Sequence, residues 1–330
     1  MKHLKYIHLL LFILILCACK EQKVSKDYTL KGFVFGTTYK IIYLDGKQNY
    51  QKDIDRLFQD INNSLSTYIS TSDISKINAG DTSVIVDEYF VEVFKKSKRI
   101  FKETNGYFDP TVGNLVNAYG FGPKNEENNL SQEQIEKEMK FVGLNNVALQ
   151  NNKIVKKYPE VYLDFNSIAK GYALDVIARF LEKNKVVNFL VEIGGEIRTK
   201  GTKKENKPWV IKLIDPVKSA TNNGFKKINL SNKAMATSGN YRKFRILDDG
   251  TKYVHTINPK TGYALQSNLL SASIIGGLDC ADLDAYATAF MAMGLQSSIE
   301  FLQKHPEIQA ILIYTNNEGD LLEFTNYTYN

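Results

Sequence analysis

The chain has 330 residues, of which 43% are hydrophobic and 24% charged, with a formal net charge of +6. That length and apolar content suffice for one large domain or two fused halves. The positive balance is mild and its lysines and arginines are interspersed with acids, which argues against nucleic acid as a partner.

The chain opens with an address label. Lys2 and Lys5 precede an unbroken apolar run from Leu9 to Leu16, shorter than the roughly 20 residues a membrane-crossing helix requires. The run ends in Leu16-Cys17-Ala18-Cys19, the pattern of a bacterial lipoprotein cleavage box. A small residue must precede the acylated cysteine, so Cys19 fits and Cys17 does not. An ordinary secretory signal with a chance cysteine, or an uncleaved anchor, are the competing readings. Residues 1–18 are therefore expected to be a lipoprotein signal peptide, 19–30 a polar tether and 31–330 a single domain. Loss of Lys2 and Lys5 takes the net charge to about +4. Only Cys19 and Cys280 then remain, and with Cys19 acylated no internal disulfide is possible.

Strand and helix signals alternate along the rest of the chain, as in a mixed α/β protein. Thr38 to Leu44 is β-like, and Ile54, Leu57, Phe58, Ile61 and Leu65 mark a helical stripe. A second helix covers Glu88 to Glu103 and is stopped by Asn105-Gly106. Ser131 with Gln134 reads as a capping box. Val147 to Val155 is a hairpin turning at Asn151-Asn152, Ile168 to Glu182 an amphipathic helix, and Phe189 to Ile193 a buried strand. The later part is β-rich: Trp209 to Ile214, Tyr241 to Leu247, a turn at Asp249-Gly250, Lys252 to Ile257, and Leu269 to Ile275. A long helix from Asp279 to Leu295 and a hairpin from Ala310 to Thr325 close the chain. Lys124 to Asn129 is an Asn/Glu-rich loop. No Walker loop, GxGxxG turn, zinc ligand set or Gly-x-Ser-x-Gly elbow occurs, which excludes the commonest nucleotide and hydrolase scaffolds.

Five segments carry chemistry-bearing residues. Asp164-Phe165-Asn166-Ser167-Ile168-Ala169-Lys170-Gly171-Tyr172 runs from a strand end into a helix, with Asn166 or Ser167 as the expected cap. Free first-turn amides beside Lys170 would suit a phosphate, and a plain capped helix with a solvated lysine explains the same residues. On the long helix, Asp284 and Thr288 are four apart and share a face otherwise made of small residues. A carboxylate and a hydroxyl with a backbone carbonyl are hard oxygen donors, suited to Mg²⁺; a helix-start Asp acting on the dipole is the bland alternative. His255-Thr256-Ile257-Asn258-Pro259-Lys260-Thr261-Gly262 is a strand running into a turn. His255 stands where strand meets loop, as a general base or a structural histidine would. Gly106-Tyr107-Phe108-Asp109-Pro110-Thr111-Val112-Gly113 and Thr237-Ser238-Gly239-Asn240-Tyr241-Arg242 are turn-rich, with aromatics able to flank a planar ring.

In this order the five segments resemble the ApbE family of FAD:protein FMN transferases. Phe35-Gly36-Thr37-Thr38-Tyr39, Ser72 to Asn78, Glu192-Ile193-Gly194-Gly195 and Asp215-Pro216 extend the resemblance over Gly32 to Gly294. It implies a fold of two intertwined α/β (α+β) halves with largely antiparallel sheets, T-fold-like. It also implies Mg²⁺-dependent cleavage of FAD, release of AMP, and attachment of FMN to a Thr or Ser hydroxyl of a partner. By the same resemblance Asp284, Thr288 and the Ser167 carbonyl hold the metal. Phe35, Tyr68, Tyr107, Phe108, Asp109, Asp164, Lys170 and Thr256 contact FAD, with Lys170 and His255 in catalysis. Phe35 replaces a usual methionine, Tyr119 a common tryptophan and Asn258 a frequent aspartate. The expected setting is the bacterial envelope outside the cytoplasm, lipid-anchored beside acceptor flavoprotein subunits of membrane respiratory or electron-transfer complexes. An FAD pyrophosphatase, with water as acceptor, and a non-catalytic flavin-binding lipoprotein are the alternatives.

Overall fold

The computed structural model describes residues 25–123, 130–214, 225–239, 244–246, 252–254, 256–264 and 267–329. Cys19 and the leader, the loop from Lys124 to Asn129, Asp215-Pro216, Asn240-Tyr241-Arg242, the Asp249-Gly250 turn and His255 lie outside these residues.

Eight strands form one antiparallel sheet in the order β1 (Lys26–Val34), β2 (Thr37–Gly46), β5 (Phe189–Ile193), β6 (Glu196–Lys200), β9 (Ala234–Gly239), β12 (Leu269–Gly276), β13 (Gln309–Thr315) and β14 (Leu321–Thr325). Three further antiparallel pairs lie outside it: β3 (Val147–Gln150) with β4 (Lys153–Lys156), β7 (Val210–Ile214) with β8 (Phe225–Asn229), and β10 (Phe244–Ile246) with β11 (Lys252–Val254). The helices are α1 (Gln51–Leu65), α2 (Asp73–Asn78), α3 (Glu88–Glu103), α4 (Gly113–Ala118), α5 (Gln132–Met139), α6 (Ala169–Lys183) and α7 (Cys280–Lys304). The α/β class with antiparallel pairing is as expected, and the two halves are four-stranded stretches of a single sheet. They meet at β6 and β9, which pair only through Ile197 with Met235 and Arg198 with Ala234. Helix α6 packs on β5 and β6, α7 on β9 and β12, and the two helices pack on each other over that junction.

Local sequence explains many of the elements. Ile54, Phe58, Ile61 and Leu65 fall on one face of α1 and are buried in the main core. Asp87 caps α3 by accepting from Phe90 N at 2.9 Å, and the left-handed residues Asn105 (φ 48°) and Gly106 (φ 77°) turn the chain after it. Ser131 and Gln134 form the reciprocal capping box of α5. Asn151 and Asn152, at φ 49° and 56°, make the two-residue turn of the β3–β4 hairpin. The other sheet face is covered by β7 and β8, whose Ile211, Leu213 and Ile228 join Trp209, Leu190, Ile275 and Ile311 in a second core.

Three expectations are corrected. Residues Lys26 to Leu30, assigned to the tether, are strand: Leu30 and Val34 point into the core and β1 pairs with β2 from Lys26 onward. The helix expected to end at Leu295 does break there, at Gly294 (φ 80°), but a second helical stretch that was not expected follows it to Lys304, with Leu302 buried. Neither Asn166 nor Ser167 caps α6; the cap position falls on Ile168, with no side-chain bond to the first turn.

Candidate active site at the α6–α7 seam

The physical reason α6 dispenses with a local cap lies on α7. Gly171 N donates to Asp284 Oδ2 at 3.1 Å, so a carboxylate from the other half of the sheet takes a first-turn amide. Such proximity requires a glycine. A Cβ on Gly171 would lie 2.4 Å from the Cys280 carbonyl oxygen, which no side chain tolerates. The Ala-Lys-Gly element is thus a helix-to-helix contact, and it brings Lys170 and Asp284 to the same seam.

Lys170 Nζ donates to Glu196 Oε1 at 2.6 Å. Glu196 opens β6 directly after Gly194-Gly195, is 2% exposed, and its Oε2 is buried with no hydrogen-bond partner among the described residues. Burial works against the Lys170 ammonium, yet the carboxylates of Glu196 and Asp284 hold its pKa above the ordinary lysine value. For Asp284 burial dominates and, with Glu196 and Asp175 as like charges, raises the carboxyl despite Lys170 and the Gly171 amide. Two carboxylates against one ammonium leave this buried cluster one negative charge in excess when all three are ionised.

Thr288 is one helical turn beyond Asp284, and its hydroxyl approaches Ser238 Oγ of β9 at 3.3 Å. Gly171 takes one carboxylate oxygen of Asp284, and the Thr288 contact is long. These donors, the excess negative charge and the orphaned Glu196 oxygen fit a hard divalent cation. Ser167 lies in the turn before α6, where its carbonyl would be the remaining oxygen. Among the described residues no three His, Cys, Asp or Glu gather as a metal cluster, so a cation there would need hydroxyl and carbonyl oxygens beside the Asp284 carboxylate.

The other motifs converge on the strand-like stretch before α6. Asn78 of α2 brackets Leu163 with two 2.8 Å bonds, donating to its carbonyl and accepting from its amide. Asp164 N donates to the Pro110 carbonyl at 2.8 Å, which ties the Tyr107–Thr111 turn to this stretch. Burial raises the Asp164 carboxyl, whose Oδ1 accepts from Asn166 N. Tyr68 is 60% exposed after α1, and the Asp164 charge adds to the burial that raises its phenol. Lys260 Nζ stands 5.8 Å from the centre of the Tyr107 ring. Phe35, left-handed at φ 51° between β1 and β2, packs edge-on against Phe58 at 5.6 Å. That turn adjoins the Gly-Gly element, since Gly194 N donates to the Thr38 carbonyl at 3.0 Å.

Phe108 and Asp109 face inward. Phe108 is 1% exposed in the main core. Asp109 accepts from Thr111 N, Thr111 Oγ1 and Leu144 N, bracing two loops. Both are expected to contact FAD; with their side chains turned inward, a ligand passing this turn would meet its backbone. Thr256 is buried at the start of the 256–264 turn. Glu196 was absent from the residues expected from sequence. The only local signal was its place after Gly194-Gly195, because its partner is 26 residues away.

The ApbE family model matches residues 35–312. A relative from Haemophilus influenzae, an "FAD:protein FMN transferase", is 35% identical over 316 residues, 92% of this chain and 90% of that protein. The solved structure of "Flavin Transferase ApbE from Vibrio cholerae" superposes with a TM-score of 0.81 at 31% identity, covering 92% of this chain and 98% of that one. The apo "Pseudomonas stutzeri flavinyl transferase ApbE" gives 0.82 at 27% identity, covering 92% and 96%. A match that spans both halves of the sheet and the seam between them, at this identity and coverage, places the chain in the ApbE family.

Proposed function

We propose that this chain is an FAD:protein FMN transferase that moves FMN from FAD onto a Thr or Ser hydroxyl of a partner protein. The observation that carries the reading is the Lys170–Glu196–Asp284 cluster at the seam, in a chain whose relatives bear that name. The acceptor oxygen forms a bond to the FMN phosphorus, the pyrophosphate P–O bond to AMP breaks, and AMP leaves with that electron pair. The product is a phosphoester. Asp284, Thr288 and the Ser167 carbonyl would hold Mg²⁺, which when bound neutralises pyrophosphate charge and polarises the phosphorus. Lys170 offers its ammonium to the phosphate oxygens. Phe35, Tyr68 and Tyr107 supply aromatic surface for the flavin, and Asp164 and Thr256 polar contacts. His255 takes the proton of the attacking hydroxyl, as an imidazole suits a base near neutral pH.

The Leu16-Cys17-Ala18-Cys19 box supports a further part of the proposal, that a lipid on Cys19 holds the enzyme in the bacterial envelope beside membrane flavoprotein acceptors. Cys19→Ser should move the protein from the membrane fraction to the soluble one with activity kept; a variant that stays membrane-bound excludes the lipid anchor. The central test incubates the protein with FAD, Mg²⁺ and a candidate acceptor subunit, followed by denaturing electrophoresis. A fluorescent flavin band on the acceptor, with AMP released in equal amount, is expected. AMP and free FMN without a band would identify a pyrophosphatase, and tight FAD binding with no AMP would identify a flavin carrier.

A further inference from the structure

A buried carboxylate normally gathers several donors, because each unfilled oxygen forfeits the hydrogen bonds it had in water. Glu196 departs from this: Lys170 holds Oε1, and Oε2 is buried without a partner among the described residues. An anion so poorly solvated favours the Lys170 ammonium all the more strongly. Glu196 is fixed at its base by β6, which pairs along its length with β5, and by the left-handed turn at Gly194 and Gly195 (φ 63° and 107°) that precedes it. Lys170 has four rotatable side-chain bonds and is part-exposed, so on its own it would sample many positions, including contact with the nearby Asp284 carboxylate.

We propose that Glu196 is a positioning residue: it pins the Lys170 ammonium at the mouth of the seam, apart from Asp284, so that the remaining N–H groups are already aimed when a pyrophosphate arrives. This rests on the reading of Lys170 as a phosphate contact. It assigns Glu196 a role through Lys170 and no contact with substrate. Three donors on one ammonium make the arrangement workable, since one is used on Glu196 and two stay available.

The experiment is a double-mutant cycle on FAD binding, followed by flavin fluorescence, in the full protein with Mg²⁺. Its four members are the unmutated protein, Glu196→Gln, Lys170→Met and the pair. Glutamine keeps the shape and removes the charge. Alone it should weaken FAD binding by about tenfold, the scale of one charge-assisted hydrogen bond. In the Lys170→Met background the same change should do less than twofold, because the ammonium it positions is gone. Equal losses in both backgrounds would overturn the proposal and leave Glu196 as a structural residue. A second readout needs no ligand: Lys170 in Glu196→Gln should react several-fold faster with an amine-labelling reagent at pH 8, followed by peptide mass spectrometry. Unchanged labelling would overturn the proposal too. Should Glu196→Gln fold poorly, Glu196→Asp serves, with an intermediate loss expected because a chain shorter by one methylene draws Nζ out of place. If the unmutated protein itself binds no FAD, the functional reading fails, while the labelling arm still tests the Glu196–Lys170 link.

Discussion

Helices α6 and α7 carry two groups of buried charges within a few residues of each other, and the contrast between them separates scaffold from site. Around Asp175, Oδ1 accepts from Arg198 and from Cys280 N, and Oδ2 from Ala281 N, so an α6 side chain caps the start of α7. Arg198 and Lys96 both reach Asp279, and Lys96 and Arg99 both reach Asp282. Glu103 joins through Arg99, and each of Asp175, Asp279 and Asp282 has at least two donors. Around Asp284, among the described residues, two acids face one base, one glutamate oxygen has no partner, and a threonine hydroxyl is loosely held. A saturated network specifies one arrangement of the helices; an unsaturated one next to it retains capacity for a ligand. Burial alone does not distinguish the two, since Asp175 and Asp284 are both buried.

The sharpest way to break this contrast is Asp284→Asn. The amide keeps an oxygen for Gly171 and removes one negative charge from an overcharged cluster. Transfer should fall to background in the flavin-band assay while the thermal midpoint stays the same or rises. A large drop in midpoint would put Asp284 in the scaffold group. Next, His255→Ala should slow transfer by ~10²–10⁴ at saturating FAD, with FAD affinity retained, as loss of a general base predicts. Lost affinity with normal turnover would make His255 a binding contact.

Asp175→Ala probes the saturated network. It leaves two α7 amides without their acceptor and Arg198 with Asp279 alone, which should cost about 2–5 kcal/mol in urea unfolding, with the folded fraction still binding FAD. A loss under about 1 kcal/mol would show that the bracket is dispensable. The smallest effect is a pH dependence at Asp279. Burial works against its charge, but Arg198 and Lys96 hold its carboxyl down to about 2 from 3.8. A folded pKa below the unfolded one adds stability above about pH 4 that disappears as the pH falls toward 2. The margin of the unmutated protein over Asp279→Asn should therefore be about 2 kcal/mol at pH 6 and shrink through that window. A margin that does not vary with pH would exclude the ion pairs as its source.

What the sequence by itself determined was whatever depends on neighbours within about one turn or one hairpin. The Ser131–Gln134 box, the paired Asn151-Asn152 turn, the stop at Asn105-Gly106 and the shared face of Asp284 and Thr288 all follow from periodicity and backbone preference. The Ala-Lys-Gly motif was legible as a pattern, and its reason was not. Gly171 is needed because α7 presses on it, and its amide is satisfied by a carboxylate 113 positions later. The same distance effect defeated the expected Asn166 or Ser167 cap, since Asp284 takes one of the first-turn amides. Nothing in the Pro/Thr turn around Asp109 signals that Leu144, 35 residues on, claims its second oxygen. Glu196 and Asp175 are ordinary acidic letters in a strand and a helix until the sheet closes at β6 and β9. Only that closure decides which buried charge finds all its partners and which is left short, because charge pairing depends on separation in space and the sequence records only separation along the chain.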